Sequence, residues 1–461
     1  MTHAGRGTTP LVHACARNNA KGFAMSLSFF IATFGCKVNQ YDSQVMREKL
    51  LGAGWEEKPW EQRPDVAVVN TCTVTGTADA KARKLIRRIA RELPGCRIVV
   101  TGCMVNRDRS LFDNAPGIWK VVDNEHKVDI ADIITSADDD QGVRLCAQAN
   151  TCSWPVGITD FAGHTRAFVK VQDGCDAWCA YCIVPAVRGK PRSRPMSQVL
   201  DEVGRLSARF KEIVLTGIHL GLYRDASGAD LAALVRAVLE TSSVERVRVS
   251  SIEVNEITPE LVEIAARSRR FCPHFHVPLQ SGSDSVLARM NRRYTAEEFL
   301  RNIDRVRAQL DRPAFTTDVM VGFPGETDQD FAVTVAVCRM TGFRRVHIFP
   351  YSDRPGTAAA KMSGKCPASV IRTRKKALEE LACELALEYK TQFVGETVGV
   401  LVETSRDRFD RLCGYTGRYL RVVFDGPDEL RGRILPVRIA RAEPGALFGR
   451  PVLKNPGPEK P

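Results

Sequence analysis

Val171-Gln-Asp-Gly-Cys175-Asp-Ala-Trp-Cys179-Ala-Tyr-Cys182 is the stretch that decides the reading of this chain. Its cysteines fall at Cys-x3-Cys-x2-Cys. At that spacing one short loop can present three thiolates to three irons of a cubane and leave the fourth iron open to a substrate or cofactor. A zinc site would want a fourth protein ligand at compatible spacing, and none follows nearby. The chain holds fifteen cysteines, and chance places this pattern in a sequence of that content with a probability of about one to two per cent. Residues 1–24 have scattered Arg and Lys but no continuous apolar core or small-residue cleavage pattern, so a secretory signal is not expected there. Metal binding or catalysis is therefore favoured over disulfides.

Outward from that loop, apolar strand-like runs alternate with helical stretches. Strands are expected at 167–172, 212–216, 246–250, 274–277, 316–322 and 346–349, with helices such as 198–209 and 231–241 between them. Six such repeats over residues 160–390 predict an incomplete α/β barrel, a partial (β/α)6 unit of TIM type. Several strand ends carry Gly, Ser or Gln: Leu215-Thr-Gly-Ile-His, Val249-Ser-Ser-Ile-Glu, His276-Val-Pro-Leu-Gln-Ser-Gly-Ser and Val319-Met-Val-Gly-Phe-Pro-Gly-Glu-Thr. Glycine lets backbone approach a ligand, and Ser or Gln offers hydrogen-bond donors. Singly, each is as readily a plain turn.

Residues 27–150 read as a parallel α/β domain, with strand-like runs at 65–70 and 97–101 around a helical run at 80–93. Its strands end in cysteine-bearing turns: Gly35-Cys36, Asn70-Thr71-Cys72 and Thr101-Gly102-Cys103. Ligands of open α/β sheets gather at the carboxyl ends of strands, so these three cysteines can converge. A linker rich in Asp, Gln, Asn, Pro and Gly is expected at 138–165. After a charged helix at 369–393, residues 391–455 carry short β-type runs at 396–402, 419–424 and 435–439, which predict a small antiparallel β-barrel, an architecture that often binds oligonucleotides. Residues 1–26 read as a disordered extension, Met25 offers a second start, and the closing Pro-Gly-Pro-Glu-Lys-Pro is expected to fray. The longest apolar stretches, such as 213–223, fall short of the ~20 residues that a bilayer crossing requires, so a cytoplasmic protein with no membrane partner is expected.

The cysteine loop resembles the radical-SAM superfamily, and the chain from about 27 to 455 resembles the methylthiotransferase family within it. The resemblance rests on Thr33-Phe-Gly-Cys-Lys-Val-Asn-Gln-Tyr-Asp-Ser, Val69-Asn-Thr-Cys-Thr-Val-Thr and Val100-Thr-Gly-Cys ahead of the radical-SAM loop, and on Gly414-Tyr-Thr-Gly-Arg-Tyr-Leu-Arg-Val in a tail similar to the TRAM fold. It implies two [4Fe–4S] clusters, one on Cys36, Cys72 and Cys103 and one on Cys175, Cys179 and Cys182. The open iron of the second would bind S-adenosylmethionine (SAM), and that of the first would carry sulfur. It also implies SAM contacts at Tyr181, Thr216, Gly217, Ser250, Ser251, Gln280, Ser281 and Gly322. In such an enzyme one SAM methylates the sulfur. A second yields a deoxyadenosyl radical, which leads to C–S bond formation at C2 of an adenine in tRNA. An electron donor and a sulfur source are implied partners. The other nine cysteines (Cys15, Cys96, Cys146, Cys152, Cys272, Cys338, Cys366, Cys383 and Cys413) match no family motif and read as small buried or incidental residues.

A net charge of +12 suits a polyanionic partner. Lys84, Arg87, Arg88 and Arg91 recur at i, i+3, i+4 and i+7, a basic stripe opposite Leu85, Ile86 and Ile89. Arg188-Gly-Lys-Pro-Arg-Ser-Arg is expected to set positive charge at the cavity mouth, and Arg418, Tyr419 and Arg421 to meet RNA from the tail. Cys36-Lys-Val-Asn resembles the branch that modifies N6-threonylcarbamoyladenosine beside the anticodon. The isopentenyladenosine branch reads Cys-Gln-Met-Asn there, and the ribosomal-protein branch Cys-Pro-Lys-Asn. The alternatives are the isopentenyladenosine enzyme and a non-catalytic, RNA-binding iron–sulfur protein.

Overall fold

A computed structural model describes residues 27–74, 76–112, 115–135, 154 and 157–452. The readings of 1–26, most of the linker and the final segment, with Cys15, Cys146 and Cys152, lie outside the described residues.

The N-terminal unit runs β1 (Ser28–Thr33), α1 (Lys37–Gly52), β2 (Glu56–Glu57), β3 (Val66–Thr71), α2 (Gly76–Glu92), β4 (Arg97–Gly102), α3 (Cys103–Arg107), β5 (Ile118–Val122) and α4 (Ile130–Thr135). Its strands form one parallel sheet in the order β2-β1-β3-β4-β5. Every residue of β3 is buried, as an apolar run covered on both faces should be. Val66 and Val68 pack with Phe29, Met46 and Leu50 on one face; Ala67 and Val69 pack with Ile86, Ile89 and Val100 on the other. The three cysteine turns therefore follow three adjacent strands, β1, β3 and β4.

The central unit begins at β6 (Ala167–Lys170) and a short hairpin of β7 (Gln172–Asp173) with β8 (Arg192–Ser193), which flank α5 (Val184–Arg188). It continues through α6 (Met196–Ser207), β9 (Glu212–Thr216), α7 (Leu231–Thr241), β10 (Arg246–Val249), α8 (Pro259–Arg267), β11 (His274–His276), α9 (Asp284–Arg289), α10 (Ala296–Gln309), β12 (Ala314–Val321), α11 (Asp328–Thr341), β13 (Arg345–Pro350) and α12 (Ala368–Thr391). The six expected barrel strands are all present. They form two parallel three-stranded ladders, β6-β9-β10 and β11-β12-β13, joined by single bridges such as Ser251 to His276. Strand alternation assigns the two faces. Val169, Leu215, Val249, Phe275, Val319 and Val321 pack under the helices in the main core. Lys170, Thr216, Ser250, His276, Asp318 and His347 face the lumen. Tyr41 and Val45 of α1 join the same core, so the N-terminal unit covers the open edge at β6.

The tail is a closed five-stranded barrel: β14 (Thr397–Arg406), β15 (Leu412–Thr416), β16 (Arg421–Phe424), β17 (Ile434–Ala442) and β18 (Leu447–Pro451). The small antiparallel barrel expected here is present, with four antiparallel pairs and one parallel pair, β16 with β18. Strand direction cannot alternate all the way round a ring with an odd number of strands, so one pair must run parallel. The tail is bonded to the central barrel through Tyr419, whose ring lies 4.5 Å from the Arg248 guanidinium and 5.4 Å from His274. Arg418 donates to the carbonyl of Arg312 at 2.9 Å and pairs with Asp311. Arg418 and Tyr419 are thus joint residues and not the free RNA contacts expected. Of that trio Arg421 has the loosest tie, 3.9 Å from Asp407. Among the described residues, no helix is long and apolar enough to cross a membrane.

Candidate active site between two cysteine loops

Cys36 caps α1, Cys72 follows β3 and Cys103 opens α3 directly after β4. Two glycines shape these turns. Gly35 has φ +103°, and a Cβ there would lie 2.6 Å from the Cys72 Cβ. Gly102 has φ +102°, and a Cβ there would lie 2.2 Å from the Thr71 carbonyl oxygen. Asn39 ties the turns together by donating to the carbonyls of Phe34 (2.8 Å) and Thr71 (2.9 Å). Cys72 lies within electrostatic reach of both Cys103 and Cys36.

The second loop folds on itself. The Ala177 N–H donates to Cys175 Sγ and the Val184 N–H to Cys182 Sγ, both at 3.4 Å. Asn291 Nδ2 bonds the carbonyls of Ala177 and Trp178, holding Trp178 at φ +49°. Side chains that sequence reasoning missed reach the same sulfurs. His219 Nδ1 lies 3.2 Å from Cys175 Sγ while its Nε2 pairs with Glu256 at 2.7 Å. Burial alone would lower the His219 pKa, but its bonds to Cys175 and Glu256 push it up to about 10. Arg292 Nη1 donates to Cys179 Sγ at 3.5 Å and is held by Glu253. His219 was visible in a strand-end motif; nothing in the sequence singled out Arg292.

The two loops touch. Ile183 and Val187, just after Cys182, pack on Cys103. Arg188 Nε donates to Cys103 Sγ at 3.4 Å, and Asn124 Nδ2 approaches the same sulfur at 3.9 Å. The Arg188 guanidinium also bonds Asn39 and pairs with Asp173 at 3.1 Å and Asp42 at 3.4 Å. Asp42 in turn takes Lys170 at 2.7 Å and Lys127 at 3.1 Å. The expectation for the Arg188 run is corrected at two of its four cations: Arg188 is buried between the two units and Arg194 is fully buried against Glu202 and Tyr41, whereas Lys190 is exposed and Arg192 half-buried. The charges of Arg188 and Arg194 are matched internally and do not face the solvent at the mouth. The stripe on α2 is exposed as expected, although Arg88 and Arg91 share Glu92.

The donor set fits iron–sulfur clusters. Burial pushes the Cys72 thiol up to about 11 and Cys182 up to about 12, so a proton would stay on either sulfur at neutral pH unless a metal displaced it. The N–H groups aimed at these sulfurs suit thiolate acceptors. Among the described residues no three His, Cys, Asp or Glu side chains close round a single ion.

Of the expected SAM contacts, Tyr181 is half-buried on a collar that includes Ala180, Met290 and Phe323. Thr216 ends β9 and Ser250 directly follows β10, while Ser251 and Gln280 bridge to His276 and Val319; among the described residues the Ser250 hydroxyl is buried with no partner, and Gln280 has φ +60°. A Cβ on Gly217 would lie 2.8 Å from Gln172 Oε1, so backbone approaches closely there. Ser281 and Gly322 turn the other way. The Ser281 hydroxyl bonds Thr334 on α11 at 3.2 Å, and the Gly322 N–H donates to Glu326 at 2.7 Å. Of the six cysteines outside the triads that are described, Cys272, Cys338 and Cys413 are buried, Cys96 and Cys366 half-buried and Cys383 exposed, all free.

Residues 169–338 match the Radical SAM superfamily, 28–122 the uncharacterized protein family UPF0004, and 391–452 the TRAM domain. The chain is 37% identical over 420 residues to the threonylcarbamoyladenosine tRNA methylthiotransferase MtaB of Bacillus subtilis, covering 89% of this chain and 93% of that protein. The chain belongs to the radical-SAM methylthiotransferase family. Another family member, MtaB of Thermotoga maritima, is 37% identical with 86% and 91% of the two chains covered. The tRNA-2-methylthio-N(6)-dimethylallyladenosine synthase of Geobacter metallireducens is 33% identical, covering 91% and 97%. The radical-SAM methyltransferase TsrM of Kitasatospora setae shares the fold, with TM-score 0.54 and 16% identity over 73% of this chain and 77% of that one. As a radical-SAM methylthiotransferase the chain is an enzyme that uses SAM and iron–sulfur clusters.

Proposed function

We propose that this methylthiotransferase acts on tRNA, inserting a methylthio group at C2 of N6-threonylcarbamoyladenosine beside the anticodon, with Cys36, Cys72 and Cys103 holding one [4Fe–4S] cluster and Cys175, Cys179 and Cys182 the other. In this reading residues 27–150, 160–390 and 391–455 are its three working units, and a cytoplasmic location accords with action on tRNA. The observation that carries the reading is the direct seam between the two cysteine loops, where Arg188 from one donates to Cys103 of the other. Sulfur delivery and radical formation must meet at one adenine, so the two triads have to border one space.

When bound, the clusters supply the electron that cleaves SAM and a place for the sulfur to be transferred. The chain's own residues do the positioning. His219 and Arg292 hold Cys175 and Cys179, while Arg188 and Asn124 hold Cys103. Tyr181 offers an apolar wall to the adenine of SAM. The relatives at 37% identity named for threonylcarbamoyladenosine support that substrate over the dimethylallyl product named at 33%. Nucleoside mass spectrometry of tRNA from a deletion strain tests it. The 2-methylthio-threonylcarbamoyl nucleoside should vanish and its unthiolated precursor accumulate; loss of the isopentenyl product instead overturns the substrate.

A further inference from the structure

A cavity of about 450 Å³ lies where the central unit meets the tail, and no residue of either cysteine loop lines it. Arg246 opens β10, Pro273 directly precedes β11, and Arg269 and Arg270 follow α8, while Gly399 of β14 and the Gly417-Arg418 turn line the other side. These central-unit residues stand at the beginnings of strands, whereas the cysteine loops follow strand ends. A strand of four residues such as β10 sets the two ends about 13 Å apart. A group held in this cavity is therefore not the adenine under modification.

The charge of the lining is unbalanced. Its two acids are taken: Glu396 pairs with Arg312 at 2.8 Å and Asp311 with Arg418 at 2.9 Å. Three guanidiniums remain. Arg246 lies 3.8 Å from Glu212, a carboxylate already bonded to Arg248 at 2.9 Å. Arg269 is exposed, and among the described residues neither Arg269 nor Arg270 has an ion-pair partner. Holding the tail accounts for Arg246, which donates to the carbonyls of Gly399 at 2.8 Å and Tyr415 at 3.1 Å. It does not account for the other two. Arg270 Nη1 donates within the central unit, to the carbonyls of Ser242 at 2.7 Å and Val244 at 3.0 Å, and Arg269 makes no side-chain hydrogen bond among the described residues. Neutral carbonyls fix a guanidinium in place without cancelling its charge, and like charges gathered on one cavity repel until an anion sits among them. The planar N–H fork left over on such a group matches a phosphate. Ser268 and Thr397 add hydroxyls to the same lining, and the volume falls within the range of small-ligand pockets.

We propose that this cavity binds a nucleoside phosphate, supplied by the substrate tRNA from a nucleotide remote from the target adenine. The proposal rests on the tRNA reading above. The cavity needs both units, so it couples the tail to RNA binding even though Arg418 and Tyr419 are engaged in the joint.

The test measures binding of full-length tRNA to the holoenzyme with SAM, by fluorescence anisotropy over a range of salt. Arg269→Gln and Arg270→Gln should each weaken binding by about tenfold and lower the slope of log affinity against log salt by about one. Arg269→Lys should keep most of the affinity. KM for tRNA should rise in the two Gln variants while kcat stays unchanged, because the clusters lie at the other end of the barrel. Lys376→Gln removes a cation that is 79% exposed on α12 and should alter binding by less than about twofold. Full affinity in both cavity variants, or an equal loss in Lys376→Gln, overturns the proposal and leaves the substrate reading intact. Should Arg270→Gln melt at a lower temperature, Arg269→Gln, at an exposed side chain, decides alone. Calorimetry with adenosine 5′-monophosphate separates the sources of phosphate. The free nucleotide should bind no more than weakly and give way to tRNA; tight binding that Arg269→Gln abolishes and tRNA does not displace assigns the cavity to a free nucleotide and overturns the RNA assignment. No modification of tRNA by unaltered protein overturns the substrate reading and this proposal with it.

Discussion

At the scale of single residues the two triads divide the labour, and their substitution should separate it. Cys179→Ala should abolish reductive cleavage of SAM, read as loss of 5′-deoxyadenosine. Cys72→Ala should leave that cleavage and stop sulfur insertion; product from the Cys72 variant would contradict the division. Arg188 is the residue on which the seam turns. Its side chain is 2% exposed between Asp42 and Asp173. Removing one partner of a buried ionic cluster costs about 3–5 kcal/mol, because the charges left behind stay buried. Arg188→Met should therefore lower the midpoint of chemical denaturation and loosen the cluster on Cys103, read as iron lost during gel filtration. Unchanged stability and iron content would show the seam to be incidental.

At the scale of elements, the strand-to-cysteine turns are the sensitive parts. Gly35→Ala and Gly102→Ala each combine a positive φ with a Cβ closer than 3.0 Å to its neighbours. Both should cut iron content by about half while leaving SAM cleavage in place, since the radical loop lies on other strands. Full iron in either variant would mean that these turns tolerate a shift. Much of this level was legible in the sequence. The strands ending at Thr71 and Gly102 announced themselves as unbroken apolar runs closed by turn residues, and 212–216 was read to the residue. What escaped was set by contacts distant in sequence. β15 and β18 are short and carry glycines, so neither shows strand periodicity on its own. Arg188 and Arg194 sit in a run of cations that looks solvated until Asp42, Asp173 and Glu202 arrive from elsewhere in the chain. The Ser281 and Gly322 motifs were recognisable, but which way a hydroxyl or N–H points depends on helices α11 and α12 packed behind them.

At the scale of the whole molecule, one buried carboxylate organises the joint between the central barrel and the tail. Glu212 pairs with Arg248 at 2.9 Å and Arg166 at 3.3 Å; Arg166 reaches on to Glu403, and Arg248 to the carbonyl of Gly417 at 3.0 Å. Burial would raise the Glu212 pKa, but the two arginines overcome it and hold the carboxyl below its ordinary value. A depressed carboxylate stabilises the folded state above its unfolded pKa of about 4.3, and that stability is lost as pH falls through the lower folded value. Glu212→Gln should remove this contribution at pH 7, so limited proteolysis should release the tail faster than from unaltered protein. Equal rates would mean that the joint is held by Tyr419 and the apolar contacts instead. Arg418 and Tyr419 are engaged in this joint, and we propose that the exposed stripe on α2 meets phosphates. Reversing Lys84 and Arg87 to Glu should weaken tRNA binding and flatten its salt dependence by about one to two counterions.

The account as a whole depends on two separate triads, each holding its own cubane. Mössbauer spectroscopy of anaerobically prepared, iron-57-loaded protein tests this most directly, comparing unaltered chain with the Cys36/Cys72/Cys103 and Cys175/Cys179/Cys182 triple-alanine variants. The expected result is two [4Fe–4S] clusters per unaltered chain and one in each variant, with SAM perturbing the spectrum only where the Cys175 triad is intact. A single cluster in the unaltered chain, or two in either variant, would contradict the assignment.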